Sequence, residues 1–372
     1  MTSIYIHIPF CAAKCNYCAF NSKVSGDDER AAYVDALTTE IKNCAAPEKI
    51  STIYFGGGTP TILNLAQLEK IFHAVEGSFF VEDDAEITVE ANPGTVDENF
   101  LRGLKKIGFN RLSLGVQSFN DELLKILGRI HDSRGALETI HFAKNFFDNV
   151  SIDLMYGLPN QTLEDVRRAV KISAAQKIQH ISIYGLEIEP KTNFGRLHAE
   201  KKLNLPDEIS CEKMYDHITK NLPKLGYRRY EISNFARDGF ESRHNLGYWT
   251  GAKYFGFGAG AHGYDGKFRA SNIADVATYI KKIRAGENVS SVEEIITRSA
   301  AIEEFCFLGL RTAEGLNAQK FFNKFGENIL DVYGKVIDKN IKLGLLENSG
   351  GRIFLTERGM KFGNVVFADF LL

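Results

Sequence analysis

Three cysteines, Cys11, Cys15 and Cys18, lie within eight residues near the start of the chain. Three thiolates on one short loop can bind three irons of a 4Fe–4S cubane cluster, and the loop is too tight to supply a fourth cysteine. The fourth iron would then be open to another ligand. Zinc is the alternative, with His7 or a distant cysteine completing the site. Zinc ribbons use two separated Cys-x-x-Cys pairs and no second pair occurs, so the spacing favours the cluster.

A run of three glycines, Gly56–Gly58, is followed by Thr59 and Pro60. Glycines let backbone atoms approach a ligand, and exposed amides can bind a carboxylate or the amino acid portion of a cofactor. The alternative is a simple tight turn, which needs one glycine rather than three. The run lacks the lysine of a phosphate-binding loop, which disfavours ATP. Together with the cysteines, it predicts a small-molecule cofactor beside the cluster.

Short β-rich runs alternate with helical patterns through the first half of the chain. This alternation predicts a parallel sheet with crossover helices. The predicted strands are Ile4–Ile8, Thr52–Phe55, Glu86–Glu90, Arg111–Val116, Ser151–Met155 and His180–Leu186. The predicted helices are Asp28–Cys44, Leu65–Gly77, Asp97–Lys106, Ser133–Asn145 and Leu163–Gln176.

Polar or glycine-rich groups recur where these strands end, which helps to choose between a curved barrel and an open doubly wound sheet. The cysteines follow the first strand and the glycines the second. Glu90 lies at the end of the third strand, Gln117 follows the fourth, and Asp153 lies in the fifth. Groups from many strand ends converge when a sheet curves into a barrel. We therefore predict an α/β fold, a partial barrel of six β/α units.

The second half of the chain has a different pattern. We divide the chain into a barrel core (1–190), a barrel extension with a glycine-rich segment (191–273) and a smaller C-terminal domain (274–372). Beyond about Ala274 the pattern becomes helical. Near the end, Gly344–Glu347 and Arg352–Thr356 flank the turn sequence Asn348–Gly351, which predicts a β-hairpin. With the helices before and after it, this hairpin predicts an α+β domain resembling a winged helix.

Composition limits the partners of the chain. It has 372 residues and a formal net charge of −2, which gives no electrostatic reason to expect nucleic acid. We therefore interpret the winged-helix-like region as a packing or partner-binding domain. The N-terminus lacks a signal-peptide pattern, and charged residues interrupt every apolar stretch, so we expect no integral membrane protein. We therefore expect a soluble cytoplasmic protein, and in a reducing compartment a tight cysteine cluster more often indicates a metal site.

Five segments resemble, in order and over nearly the whole chain, the oxygen-independent coproporphyrinogen III oxidase superfamily. They are Ile6–Cys11, the Cys-x-x-x-Cys-x-x-Cys spacing, Gly56–Pro60, Gly115–Phe119 and Ile152–Leu154. The resemblance implies a 4Fe–4S cluster with S-adenosylmethionine bound at its open iron. In such radical proteins, an electron from the reduced cluster cleaves the sulfonium of the cofactor. A reductant protein is therefore an implied partner.

The resemblance also implies roles for matching residues. The residues that would line the cofactor at the cluster are Tyr5, Gly57, Glu90 and His262. Those that match positions completing cofactor binding, including a second molecule, are Tyr17, Gly58, Thr59, Gln117, Arg129, Asp153 and Gly185. Carboxylates can accept hydrogen bonds from ribose or an ammonium group, and Arg129 can pair with a carboxylate. For Glu90, Asp153 and Arg129 the alternative is a buried structural ion pair.

Two departures separate the chain from the decarboxylating members of the superfamily. Those members carry another cysteine two residues after the third cluster cysteine, whereas this chain has Phe20 there. They also carry an extension before the first strand, which is predicted here to begin at Ile4. Both departures match the superfamily's heme chaperone group, called HemW, and imply heme and a heme-acceptor protein as partners. Coproporphyrinogen III dehydrogenase and a radical enzyme with an unknown small substrate are the competing functions. A homodimer is left open.

The run 244–249 matches that group's His-Asn-x-x-Tyr-Trp signature, proposed for heme binding. Imidazole is a common axial ligand of heme iron, so the resemblance implies His244 as a ligand candidate. Tyr248 and Trp249 could stack on a porphyrin face. The alternative is a histidine that is hydrogen-bonded in the core beside a packed Trp.

Overall fold

The computed structural model describes residues 1–44 and 46–371. Its strands are β1 (Thr2–Ile8), β2 (Lys49–Gly57), β3 (Phe80–Ala91), β4 (Arg111–Gln117), β5 (Asn149–Tyr156), β6 (His180–Gly185), β7 (Arg228–Arg229), β8 (Asn234–Ala236), β9 (Lys253–Phe257), β10 (His262–Tyr264), β11 (Phe268–Asn272), β12 (Ser290–Ile295), β13 (Leu316–Asn317), β14 (Leu346–Ser349) and β15 (Arg352–Leu355).

The α-helices are α1 (Asp27–Asn43), α2 (Leu65–Glu76), α3 (Glu98–Ile107), α4 (Asp121–Leu127), α5 (Ser133–Phe146), α6 (Leu163–Ala175), α7 (Asn193–Ala199), α8 (Glu208–Asn221), α9 (Arg243–Trp249), α10 (Val276–Arg284), α11 (Arg298–Gly309), α12 (Ala318–Phe325), α13 (Ile329–Lys342), α14 (Glu357–Lys361) and α15 (Gly363–Asp369). No helix in the described part of the chain is long and apolar enough to cross a membrane.

Strands β1 to β6 pair in chain order as parallel neighbours within a 12-stranded sheet. Strand β9 pairs in parallel with the other side of β1, and β10–β12 continue from it as antiparallel strands. One cavity is lined by residues at or just after the ends of β1–β5, as the curvature of a barrel requires. The predicted partial barrel of six β/α units is confirmed.

Strand alternation decides which side chains reach the interior of the barrel. In β1, Ile4, Ile6 and Ile8 are fully buried in the core beneath the helices, so Tyr5 and His7 point to the opposite face. The helices that follow begin at well-defined N-caps. Asn64, for example, accepts a hydrogen bond from the Gln67 amide at the start of α2. Local sequence thus positions both layers of the barrel.

The six predicted barrel strands and five predicted helices all form, with ends that differ by a few residues. The largest difference is β3, which begins at Phe80 rather than Glu86. The helical pattern expected beyond Ala274 is interrupted by β12, whose sequence is Ser-Ser-Val-Glu-Glu-Ile. This strand lies at the exposed edge of the sheet, so no alternation between buried and exposed residues marks it in the sequence.

The last part of the chain has its own hydrophobic core. Strands β13, β15 and β14 form an antiparallel sheet, and a separate buried cluster begins at Ile302. The predicted hairpin is confirmed as β14–β15, and Gly350 and Gly351 have φ of 59° and 75°, as a type I′ turn requires. The domain limits stay predictions. Since α10 packs on the main core and β12 belongs to the main sheet, we propose that the smaller unit starts after Ile295.

We predict that the Tyr33 hydroxyl stabilises the junction between β1 and the segment after β9. It donates to the His7 carbonyl (2.8 Å) and accepts from the Ala259 amide (2.9 Å), and the side chain is fully buried. Tyr33→Phe leaves both backbone groups without this partner, at a cost of about 1–3 kcal/mol. Thermal unfolding should show a lower melting temperature for Tyr33→Phe.

Tyr264→Phe is the matched control, because the Tyr264 hydroxyl has no hydrogen-bond partner among the residues that the structure describes. Its melting temperature should stay close to that of the unmodified protein. Equal melting temperatures for the two variants would contradict the role given to Tyr33.

Candidate cofactor site

The cysteine loop leaves the end of β1 and returns to it. The Cys11 amide donates to the Lys23 carbonyl (3.0 Å), and the Lys23 amide donates to the Pro9 carbonyl (2.9 Å). These two bonds close the loop at its base. The thiols of Cys11, Cys15 and Cys18 are therefore held above the carboxyl end of the first barrel strand.

Asn16 fixes one side of this loop to distant parts of the chain. Its amide donates to the Leu127 carbonyl (3.0 Å), and its side chain donates to the Ile126 carbonyl (2.8 Å) at the end of α4. The Asn16 carbonyl in turn accepts from the Phe194 amide (2.8 Å) of α7. Protein contacts alone thus position the middle of the loop.

Asn21 fixes the other side. Its side chain donates to the carbonyls of Ala259 (3.0 Å) and Ala274 (2.9 Å). Its own carbonyl accepts from His7 Nε2 at 2.8 Å, and the Tyr5 hydroxyl lies 3.0 Å from His7 Nδ1. Both ring nitrogens of His7 are therefore engaged, and it is not available as the fourth ligand considered for zinc.

The three cysteines share one cavity of about 150 Å³ with most of the residues implied to bind cofactor. Eight of those eleven residues line it: Tyr17, Gly57, Gly58, Thr59, Glu90, Gln117, Arg129 and Asp153. Within the described residues, no three or more His, Cys, Asp or Glu side chains converge as ligands of one ion. A cubane cluster binds each thiolate to a different iron, so such convergence is not needed.

Tyr5, Gly185 and His262 do not line this cavity. The Tyr5 ring stacks on Tyr54, and Gly185 lies against the Tyr156 side chain at the end of β6. The His262 side chain is 59% exposed, and its Nδ1 lies 3.3 Å from a Glu293 carboxylate oxygen. Their roles toward a cofactor stay predictions.

The glycine run allows the second strand to pass close to the cysteine loop. A Cβ on Gly57 would lie 2.6 Å from the His7 ring, and one on Gly58 would lie 2.5 Å from the Phe10 carbonyl oxygen. Gly57 also has φ of 111°, which L side chains rarely adopt. The Gly58 and Thr59 amides donate to the Ile8 and Phe10 carbonyls (2.8 and 2.7 Å), so these two amides hold the loop rather than a ligand.

Asn92 was not predicted as a site residue, yet it connects the polar groups around the thiols. Its side-chain amide donates to Thr59 Oγ1 (2.7 Å), and its carbonyl oxygen accepts from Arg129. Thr59 Oγ1 donates to Cys11 Sγ (3.5 Å), and Arg129 Nη1 donates to Cys15 Sγ (3.4 Å). An uncharged amide does not by itself predict a ligand site. In the sequence, Asn92 was marked only by its position shortly after Glu90, at the end of a strand.

Glu90, Asp153 and Arg129 line the same cavity without forming salt bridges with one another. Neither Glu90, Asp153 nor Arg129 forms a salt bridge within the residues described, which argues against the structural ion pair considered above. The Tyr54 hydroxyl donates to Glu90 Oε1 at 2.7 Å. Burial raises the pKa of Glu90 to about 7, with a contribution from Asp153. Burial also raises the pKa of Asp153.

One residue of the cavity lining has a strained backbone. Gln117 ends β4 with φ of 66°, a left-handed conformation that is uncommon for a residue other than glycine. Such conformations persist where the surrounding structure enforces them, and they cluster at functional sites. The cavity lining at Gln117 is therefore shaped by the fold and not by local preference.

The proposed heme residues lie elsewhere, on α9. His244 is 1% exposed, with Nδ1 2.8 Å from Thr52 Oγ1 and Nε2 2.9 Å from the Tyr248 hydroxyl. Burial lowers its pKa to about 3. Trp249 stacks on the Arg311 guanidinium at 4.4 Å. This geometry favours the hydrogen-bonded core histidine, and the roles of His244, Tyr248 and Trp249 in heme binding stay predictions.

Comparison with known proteins agrees with this architecture. Residues 5–173 match the radical SAM superfamily, and residues 296–362 match the HemN C-terminal domain. The chain superposes on the structure of coproporphyrinogen III oxidase (HemN) from Escherichia coli, a radical SAM enzyme, with a TM-score of 0.87. That match has 26% identity and covers 100% of this chain and 90% of the other. Fold and cysteine loop therefore define a radical SAM protein.

Two curated relatives specify the family. Heme chaperone HemW from Bacillus subtilis (strain 168) is 39% identical, covering 100% of this chain and 99% of the relative. Heme chaperone HemW from Lactococcus lactis subsp. lactis (strain IL1403) is 40% identical, covering 100% of this chain and 97% of the relative. The chain belongs to the HemW family.

We predict that Glu90 makes the cofactor-free protein less stable as the pH rises. A pKa raised to about 7 favours the protonated carboxyl in the folded state, so stability falls between the ordinary pKa of a glutamate and about pH 7. Glu90→Gln removes this effect. When the pH is raised from about 5 to about 8, the melting temperature of the Glu90→Gln variant should fall less than that of the unmodified protein.

Glu69→Gln, at an exposed position on α2, is the control and should preserve the fall seen in the unmodified protein. The prediction fails if Glu90→Gln and Glu69→Gln give parallel dependences of melting temperature on pH.

Proposed function

We propose that the protein is a heme chaperone, which binds heme and transfers it to an acceptor protein with the help of a 4Fe–4S cluster and S-adenosylmethionine. The observation that carries the proposal is the cavity shared by three cysteines and eight residues implied to bind cofactor, in a chain related over its full length to HemW heme chaperones. We further propose a cytoplasmic location, since a reactive cysteine cluster requires reducing conditions.

Cys11, Cys15 and Cys18 would hold the cluster, and the chemistry of the cavity fits it. The Thr59 hydroxyl and the Arg129 guanidinium donate to two of the three sulfur atoms. Such contacts from outside the loop would orient two of the three sulfur ligands of the cluster. When bound, the cluster and S-adenosylmethionine supply one-electron chemistry, for which a reductant protein is the proposed electron donor.

The other lining residues would bind the amino acid and ribose portions of S-adenosylmethionine. Glu90 and Asp153 offer acceptors for an ammonium group or ribose hydroxyls, and Arg129 offers a donor for a carboxylate. None of the three forms a salt bridge within the described chain, and although both Nη atoms of Arg129 already donate to protein groups, its Nε has no partner there.

Coproporphyrinogen III dehydrogenase is the second candidate, favoured by the superposition on HemN over the whole chain. Phe20 argues against the dehydrogenase function, because it occupies the position where decarboxylating relatives carry a further cysteine. Its side chain is 69% exposed beside the cavity that it helps to line. The two functions predict different products from the same mixture.

The distinguishing experiment uses anaerobically reconstituted protein with reductant, S-adenosylmethionine and coproporphyrinogen III. Chromatography follows protoporphyrinogen and 5′-deoxyadenosine, and a parallel titration follows hemin binding. Heme chaperone function predicts hemin binding without protoporphyrinogen above the control lacking cofactor. Protoporphyrinogen formation would establish the dehydrogenase instead.

We predict that Cys15→Ala abolishes the cluster, because only two thiolates would remain on the loop. Reconstituted protein should lose nearly all of the roughly four irons and four sulfides of a cubane cluster. Cys211→Ala is the matched control, since Cys211 lies on α8 outside the cavity. Normal iron and sulfide content in Cys15→Ala would refute the cluster assignment.

A further inference from the structure

Helix α9 is anchored to strand β3 by one carboxyl group. Glu86 accepts hydrogen bonds from the amides of Arg243 (2.9 Å) and His244 (3.0 Å), and from Ser242 Oγ at 3.5 Å. Glu86 and His244 are both buried. Since Glu90 follows Glu86 on the same strand, α9 is fixed to the strand that carries a residue of the cofactor cavity.

His244 lies against two side chains of strand β2. Its Nδ1 is 2.8 Å from Thr52 Oγ1, and its ring packs on the Tyr54 ring with centroids 4.9 Å apart. Thr52 and Tyr54 are two residues apart, so both side chains are on the same face of the strand. On the other side, Nε2 lies 2.9 Å from the Tyr248 hydroxyl. A neutral imidazole has one donor and one acceptor, so these two contacts fix the orientation of the ring.

Tyr54 connects this histidine to the cofactor cavity. Its hydroxyl donates to Glu90 Oε1 at 2.7 Å, and Glu90 lines the cavity of the three cysteines. The Tyr54 ring also stacks on Tyr5, with centroids 6.2 Å apart. Gly56 leaves room for it, because a Cβ there would lie 2.9 Å from a carbon of the Tyr54 ring. The position of the Glu90 carboxyl group therefore depends on where this ring is held.

The contacts of α9 suit a support of fixed position better than a ligand of heme iron. An iron atom could bind His244 only by displacing Thr52 or Tyr248 from a buried ring. The far end of the helix is held as well, because Trp249 lies against the guanidinium of Arg311, just after α11. Protein contacts thus hold α9 at both ends.

We propose that His244 is a positioning residue of the cofactor site and acts through Tyr54 on Glu90. Ring packing connects His244 to Tyr54, and a hydrogen bond connects Tyr54 to Glu90. Side chains fixed in this way hold a binding group in one orientation, here toward the ammonium group or ribose hydroxyls of S-adenosylmethionine. The inference rests on the proposed binding of S-adenosylmethionine, and it gives the 244–249 run a role in that binding.

The test is a titration of the reduced, reconstituted chain with S-adenosylmethionine, followed by the change in the g values of the cluster. Tyr54→Phe removes only the hydroxyl, and its dissociation constant should rise at least about tenfold. His244→Leu removes the ring and both of its hydrogen bonds, and its dissociation constant should rise at least about fivefold. Iron and sulfide content should not change in either variant.

Two substitutions of the same kinds serve as matched controls. His141→Leu changes an exposed histidine on α5, and Tyr264→Phe changes a tyrosine of β10 outside the cavity of the cysteines. The dissociation constants of both controls should stay within about twofold of that of the unmodified chain.

A double-mutant cycle separates positioning from a general loss of structure. In a Glu90→Ala background there is no carboxyl group to position, so adding Tyr54→Phe or His244→Leu should change the dissociation constant by less than about twofold. Effects of equal size in both backgrounds would overturn the inference. Tyr248→Phe removes one hydrogen bond of His244 and keeps its ring. It should weaken binding at least about threefold, and it keeps the test valid should His244→Leu fail to fold.

Failure of this inference differs from failure of the proposed function. If S-adenosylmethionine does not change the g values of the unmodified chain, the proposed binding of the cofactor fails. If it changes them, and the His244→Leu and Tyr248→Phe variants bind the cofactor as tightly as the unmodified chain, only the inference is overturned. Loss of hemin binding by His244→Leu with unchanged affinity for S-adenosylmethionine would also overturn it, because His244 would then be a heme-binding residue.

Discussion

Everything at the cysteine site depends on holding three thiols close together before any iron is bound. Thiolates repel one another, and a loop of this length has no regular structure to oppose that repulsion. The fold supplies the restraint through two asparagines, Asn16 and Asn21, which hydrogen-bond to segments more than one hundred residues away in sequence. The cysteine geometry is therefore a property of the closed barrel and its extension rather than of the loop.

The same requirement explains why the glycine run and Asn92 accompany the cysteines. A side chain at Gly58 would collide with the backbone of Phe10, and the strand could not pass beneath the loop. Asn92 joins Thr59 and Arg129, each of which donates to a different sulfur atom. Residues just after the second and third strands and from the loop after α4 thus direct hydrogen-bond donors at two of the three sulfur atoms.

The sequence predicted the barrel because its strands and helices have strong local patterns, and it predicted most of the site because chemically distinctive residues follow the strands. It did not predict Asn92, whose role comes only from its contacts with Thr59 and Arg129. It did not predict β12, since an exposed edge strand carries no pattern of burial. For His244 the difficulty was that a recognisable motif suggested a function. A histidine in such a motif can equally belong to a buried hydrogen-bond network, and the structure places His244 in one.

We propose that three cysteines hold a cluster whose fourth iron accepts S-adenosylmethionine. Electron paramagnetic resonance of the reduced, reconstituted protein tests it most directly, with spectra recorded before and after S-adenosylmethionine is added. We expect the signal of a reduced 4Fe–4S cluster and a change in its g values when the cofactor binds the open iron. A cluster signal that does not change with S-adenosylmethionine, or the absence of any iron–sulfur signal, would contradict it.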